Sequence, residues 1–236
     1  MSPKEKQKSI FTKAIHSGED RARYADSITT PIVQSSTYFF KDSKEIESYT
    51  KNAKKRYEYG RYGNPTEIVA QQRLMVLNSA DDALVFSSGM MAITTTILAL
   101  VESGDHIVIT DDCYGRTLEF CRTYLKRFGI DCTIVPFGDY ELLDSSIREN
   151  TRFVFSESPT NPYLNVFDMV KFRHIGDKHK VITIIDSTFA TPYNQRPLDY
   201  GIDLVIHSGT KYLAGHNDIL AGVLLGKKQL VGKVRE

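Results

Sequence analysis

The sequence predicts an α/β protein built on a mostly parallel, seven-stranded sheet sandwiched by helices. Three observations predict it. Seven short apolar runs recur after residue 80, most of them rich in Val and Ile and short enough to be buried strands. Helix-compatible segments separate several of these runs, and that alternation is the pattern of a parallel sheet. The runs are continuously apolar, as strands covered on both faces must be.

Residues 1 to about 65 carry polar and turn residues with little clean periodicity. They read as an extended N-terminal arm with one short helix over Ser43–Lys51. Asn64-Pro65-Thr66 then opens a helix through Leu77, with Ile68, Val69, Leu74 and Leu77 at helical spacing. The strands are read as Ala83–Phe86, His106–Thr110, Cys132–Phe137, Arg152–Phe155, Val181–Asp186, Asp203–His207 and Ala221–Leu225. Helices are expected over Met91–Val101, Thr117–Phe128 and Val166–Lys178.

Composition excludes some function classes. Lys and Arg total 30 against 29 for Asp and Glu, which gives no electrostatic reason to expect nucleic acid or an anionic membrane as partner. No window approaches the ~20 apolar residues of a membrane helix. Cys113, Cys121 and Cys132 form no C-x-x-C pair, so reduced thiols in a cytoplasmic setting are expected. The lysine-rich N-terminus lacks the apolar run of a secretory signal. The histidines show no metal-ligand spacing, so His207 and His216 read as structural and no metal is expected.

In open α/β sheets ligands bind beyond the carboxyl ends of the strands. Five strand ends here deliver a Ser87-Ser88-Gly89 turn, an aromatic (Tyr114), an amide (Asn161), a carboxylate (Asp186) and an amine (Lys211) toward one side. Each is common alone, since a strand-terminal Asp is usually a cap and a lysine usually a solvated charge. Together they suit pyridoxal 5'-phosphate (PLP). Backbone N–H groups of Gly89 and Met90 at a helix N-terminus would hold the phosphate, aided by the hydroxyls of Ser208 and Thr210. Tyr114 would stack on the ring and Asn161 would bond its hydroxyl. Asp186 would keep the ring nitrogen protonated, and Lys211 would form the imine and shuttle protons. Lys211 and Tyr114 are the catalytic candidates.

Lys211 lies in His207-Ser208-Gly209-Thr210-Lys211-Tyr212-Leu213-Ala214-Gly215-His216-Asn217-Asp218. This resembles the lysine signature of the Cys/Met-metabolism PLP enzymes. The likeness extends to Tyr59-Gly60-Arg61-Tyr62-Gly63-Asn64-Pro65-Thr66, Ser88-Gly89-Met90, Asp112-Cys113-Tyr114, Glu157-Ser158-Pro159-Thr160-Asn161-Pro162 and Asp186-Ser187-Thr188-Phe189, and covers the chain from about Phe11 onward. It implies the fold-type I architecture of aspartate aminotransferase, with residues 1–65 as an arm contributing to a neighbouring subunit and 66–236 as the PLP-binding domain. It adds Ser88 and Thr188 to the cofactor set. It also implies that Tyr59 and Arg61 reach the phosphate of a neighbouring subunit, so the expected assembly is at least a homodimer, with a tetramer usual. The family continues into a C-terminal domain that supplies an arginine for the substrate α-carboxylate. This chain stops at Glu236, so that domain is expected to be absent.

Within the family, Phe189-Ala190-Thr191-Pro192, Asn194-Gln195 and Gly215-His216-Asn217-Asp218 are most similar to plant-type cystathionine γ-synthases. The activity so implied is γ-replacement, in which an activated homoserine ester and cysteine give cystathionine in methionine biosynthesis. The alternatives are a cystathionine or methionine γ-lyase, or a truncated PLP-binding domain without turnover. Methionine γ-lyases carry a cysteine two residues after the stacking tyrosine, where this chain has Arg116. A substrate-contacting arginine common in the family falls at Glu119, and Arg116 is a candidate to replace it.

Overall fold

Seven strands form one sheet: β1 (Asp82–Phe86), β2 (His106–Thr110), β3 (Asp131–Val135), β4 (Thr151–Glu157), β5 (Ile182–Asp186), β6 (Leu204–Ser208) and β7 (Gly222–Gly226). Their order across it is β1-β7-β6-β5-β4-β2-β3. Each expected strand is present to within two residues. The computed structural model describes residues 9–18, 24–51 and 56–236; the first eight residues, with much of the lysine-rich stretch read for targeting signals, lie outside the described residues.

The pairs β2·β3, β2·β4, β4·β5 and β5·β6 are parallel, whereas β7 runs antiparallel to both of its neighbours, β6 and β1. Because β7 alone is reversed, β1 to β6 all end on one edge of the sheet, and β7 begins there. In register, Gly222 sits between Phe86 and Ser208.

Side chains alternate between the two faces along each strand. Ile107, Ile109, Phe153, Phe155, Ile184, Leu204 and Leu224 pack together on one face, beneath Ile93 and Ile97 of a helix over Gly89–Leu100 and Val231 and Val234 of one over Lys228–Arg235. Val108, Val154 and Ile185 face the other way, against Phe172 and Ile175 of a helix over Met169–His179. A third cluster places Leu74 and Met75, from the helix Pro65–Asn78, over Ala83, Val223 and Leu225. Phe155 is fully covered in the first cluster, so Phe155→Ala is expected to destabilise the fold by about 3–5 kcal/mol. Urea unfolding of the two proteins measures this directly.

In chain order the helices are α1 (Ile10–His16), α2 (Ser43–Thr50), α3 (Pro65–Asn78), α4 (Gly89–Leu100), α5 (Gly115–Glu119), α6 (Tyr140–Ser145), α7 (Met169–His179), α8 (Thr191–Asn194) and α9 (Lys228–Arg235). Three expectations need correcting. Among the described residues the N-terminal segment contains two α-helices where one was expected: α1 is capped by Ser9, whose hydroxyl accepts from Thr12 N, and the turn after it is tied to α3 by Arg73 donating to Ser17 O. Tertiary packing of this kind supports a helix too short to stand alone. The helix expected over Thr117–Phe128 changes pitch, from α5 to a π turn at Phe120–Tyr124 and a 3-10 turn at Leu125–Phe128, and ends at left-handed Gly129. The helix expected from Val166 starts at Met169, because the Asp168 carboxylate caps it by accepting from Val170 N and Lys171 N.

His207 is wholly buried and joins α3 to the sheet, with Nδ1 against Ser187 O and Nε2 against Asn78 Oδ1. Burial pushes it down to about 4, which suits the structural role read from the sequence. Among the described residues no helix is long and apolar enough to cross a membrane.

Candidate active site

The common edge of β1 to β6 holds a cavity of about 260 Å³. It lies just below the ~300 Å³ at which drug-sized ligand pockets begin, a scale for one compact ligand. After β1, Ser88 adopts an extended backbone and caps α4, its hydroxyl accepting from Met91 N at 3.1 Å. The first N–H groups of α4, at Gly89 and Met90, have no intrahelical partner, and both residues line the cavity. The approach is too close for larger residues. A Cβ on Gly89 would meet Ser208 Cβ at 2.7 Å, and one on Gly222 would lie 2.0 Å from Ser88 O. The two glycines let the start of α4 rest on β6 and β7.

After β6 the chain folds into a tight turn, with Lys211 N donating to Ser208 O and Thr210 N to Ala221 O. Ser208, Thr210 and Lys211 all line the cavity. The Thr210 hydroxyl is already engaged: it donates to Ala221 O and accepts from Ala221 N. Lys211 borders the cavity while remaining exposed on its outer side.

Asp186, at the end of β5, is buried, and its Oδ1 accepts from both the backbone N and the hydroxyl of Thr188. The same hydroxyl accepts from Ser208 N at 2.8 Å, so Thr188 links the carboxylate to the lysine-bearing turn. Burial raises Asp186 to about 6. Glu157, directly across the ladder at the end of β4, is also buried and also lines the cavity. Its Oε2 accepts from Tyr114 N at 2.7 Å. Burial first, then the neighbouring Asp186, push it up to about 8. Tyr114 and Asn161 complete the wall, with Phe189 beside them.

The structure therefore brings Ser88, Gly89, Met90, Tyr114, Asn161, Asp186, Thr188, Ser208, Thr210 and Lys211 to one cavity. Tyr59 and Arg61 are not among its lining residues. They lie on an exposed turn in the N-terminal segment, where the Arg61 guanidinium sits 5.2 Å from the Tyr59 ring and 5.4 Å from the Tyr62 ring. Arg116 and Glu119 neutralise each other across 2.6 Å on the surface of α5. Glu157 and Phe189 were missed as site residues. Both stand in motifs quoted above, and the available signal was position alone: one closes a strand and the other follows a strand end.

These residues fit pyridoxal phosphate. A buried carboxylate held above its ordinary range is relieved by a cationic ring nitrogen. An unpaired helix N-terminus walled by glycine accepts a phosphate. An amine borders the same cavity.

A family model described as Cys/Met metabolism PLP-dependent enzyme matches residues 11–235. Cystathionine gamma-synthase 1, chloroplastic, from Arabidopsis thaliana is 43% identical over 94% of this chain and 40% of its own length. The L-methionine gamma-lyase of Treponema denticola is 39% identical over 100% of this chain and 59% of its own length. The solved structure of metY from Campylobacter jejuni, which carries N'-pyridoxyl-lysine-5'-monophosphate, superposes with a TM-score of 0.89 at 31% identity, covering 96% of this chain and 56% of that one. The chain thus spans about half the length of the relatives it matches.

Proposed function

This chain belongs to the Cys/Met metabolism PLP-dependent enzyme family, and from that membership we propose that it is the cofactor-binding part of a γ-replacement enzyme. The reaction is the joining of an activated homoserine ester to cysteine to give cystathionine. The observation that carries the reading is that Lys211 and Asp186, from separate strands, border one cavity. The choice of γ-replacement is supported by the likeness to the Arabidopsis synthase and by Arg116 standing where methionine γ-lyases have cysteine.

When bound, pyridoxal phosphate supplies an electron sink for charge developing on the substrate carbons. The side chains of this chain do the rest. The Gly89 and Met90 N–H groups and the Ser208 hydroxyl hold the phosphate, and Ser88 fixes the turn that presents them. Thr210 acts through Ala221, fixing the turn that carries Lys211. The Asp186 carboxylate holds the proton on the ring nitrogen, and Thr188 holds Asp186. Tyr114 covers one ring face and Asn161 orients the ring. Lys211 Nζ would anchor the cofactor and, once the substrate amine has displaced it as a free amine, would take the proton from the substrate α-carbon and return it elsewhere along the substrate.

Residues 66–236 form the cofactor-binding domain in this reading, and the segment 1–65 serves a neighbouring copy. Arg61 is suited to the neighbour's phosphate because a guanidinium grips phosphate through two parallel bonds. A homodimer is then the smallest complete unit, and a homotetramer is the proposed assembly.

Product analysis tests the reaction. Cystathionine formed from a homoserine ester only when cysteine is supplied is the expected result. 2-Oxobutyrate released without cysteine would select the γ-lyase reading instead, which the Treponema relative favours.

A further inference from the structure

Two carboxyl groups face one small cavity, and the proposed cofactor presents a single cationic nitrogen to them. Glu157 and Asp186 are cross-ladder partners at the ends of β4 and β5, 4% and 5% exposed. Two ionised carboxylates this close and this dry repel strongly, so one of them keeps a proton. Their partners differ. Asp186 Oδ1 accepts two bonds from Thr188, which favour its ionised form. Glu157 accepts backbone N–H groups from Tyr114 and Asn161, the residues proposed to cover and orient the ring.

We propose that Glu157 is a positioning residue that holds the shared proton of this pair, so that it fixes the Tyr114 and Asn161 loops without competing with Asp186 for the ring nitrogen. The inference rests on the cofactor site described under Proposed function. The groups that face Glu157 are Asp186 from β5, Asp112 and Cys113 from the loop after β2, and the bonded backbone of Tyr114; Lys211 borders the same cavity from the turn after β6. The N–H groups of Tyr114 and Asn161 favour the ionised form of Glu157, but burial and the negative Asp186 outweigh them.

The sign of the pH dependence follows. An acid that binds its proton more tightly when folded than when unfolded makes the folded state less stable as pH rises through that interval. Asp186 is half ionised near pH 6 and Glu157 near pH 8. The upper part of the range, between pH 7 and 8, therefore reports mainly Glu157. In cofactor-free protein the unfolding equilibrium constant should rise there by up to about tenfold per pH unit.

The experiment compares wild type, Glu157→Gln and Glu157→Ala by urea unfolding of the cofactor-free chain from pH 6 to 8, and by titration with pyridoxal phosphate. Glutamine imitates the protonated acid, so Glu157→Gln should flatten the pH slope and keep cofactor affinity within about threefold of wild type. Glu157→Ala should lose about tenfold or more in affinity, because the loop N–H groups lose their acceptor. An unchanged pH slope in Glu157→Gln would overturn the proposal, as would an affinity for Glu157→Ala equal to wild type. If the variants do not fold, infrared spectra at pH 7 of protein labelled with 13C-glutamate decide the matter. A Glu67→Gln background removes the other glutamate, among the described residues, that burial pushes up. A protonated-carboxyl band is expected, and its absence overturns the assignment. Absence of any pyridoxal phosphate binding by wild type would instead overturn the cofactor site, and the stability slope would still report on Glu157 alone.

Discussion

Replacing Lys211 by alanine is expected to lower turnover by at least ~10²–10⁴-fold, the range supplied by one positioned proton-transfer group. The loss should approach completeness, because the same amine also anchors the cofactor. Lys211 borders the cavity on a turn held by its own backbone bond to Ser208 O and by Thr210 N bonding Ala221 O, so truncation of its exposed side chain should leave the fold intact. Borohydride reduction followed by peptide mass spectrometry checks the anchoring. A pyridoxyl adduct at Lys211 in wild type and none in the variant is the expected pair of spectra. Wild-type turnover in Lys211→Ala would end the catalytic assignment.

Replacing Asp186 by asparagine should move activity and stability in opposite directions. Turnover should fall by about 10²–10³-fold, the usual cost of losing one preorganised electrostatic partner in a water-excluded site. Asparagine preserves an oxygen for the two Thr188 donors. It also removes a carboxyl that burial raises to about 6, so the cofactor-free chain should become more stable above pH 6. Stability surrendered to keep a charge where chemistry needs it is a common property of active sites. Parallel measurements of kcat and of urea midpoints at pH 6 and 8 check both signs. A variant less stable than wild type at pH 8 would show that the carboxylate is not under strain.

Much of this was legible before any coordinates. The inner strands read clearly because they are covered on both faces, and side chains such as Ile107–Val108–Ile109 and Phe153–Val154–Phe155 must be apolar without interruption. The cavity read clearly because the strands deliver polar residues just past their ends. Three things did not read. Strand direction leaves no mark on composition, so the reversal of β7 was invisible in Ala221–Leu225. Helix α1 depends on its contact with α3, which a local window cannot contain. Glu157 resembled a turn residue, since a carboxylate's burial depends on what the neighbouring strand places beside it.

The reversed β7 has a consequence for biosynthesis. Strand β1 leaves the ribosome early, yet among the described residues its only ladder partner is the segment Gly222–Gly226, made after the other strands of this sheet. Until then the hydrogen-bonding edges of β1 and β6 that β7 fills stand open, and Ser88 lacks Gly222 beneath it. Such long-range closure is slow and leaves sticky edges uncovered. Until β7 is made, no strand joins the Ser88–Met90 side of the pocket to the Ser208–Lys211 side. Ligand added during translation should protect only polypeptides that have already cleared residue 226.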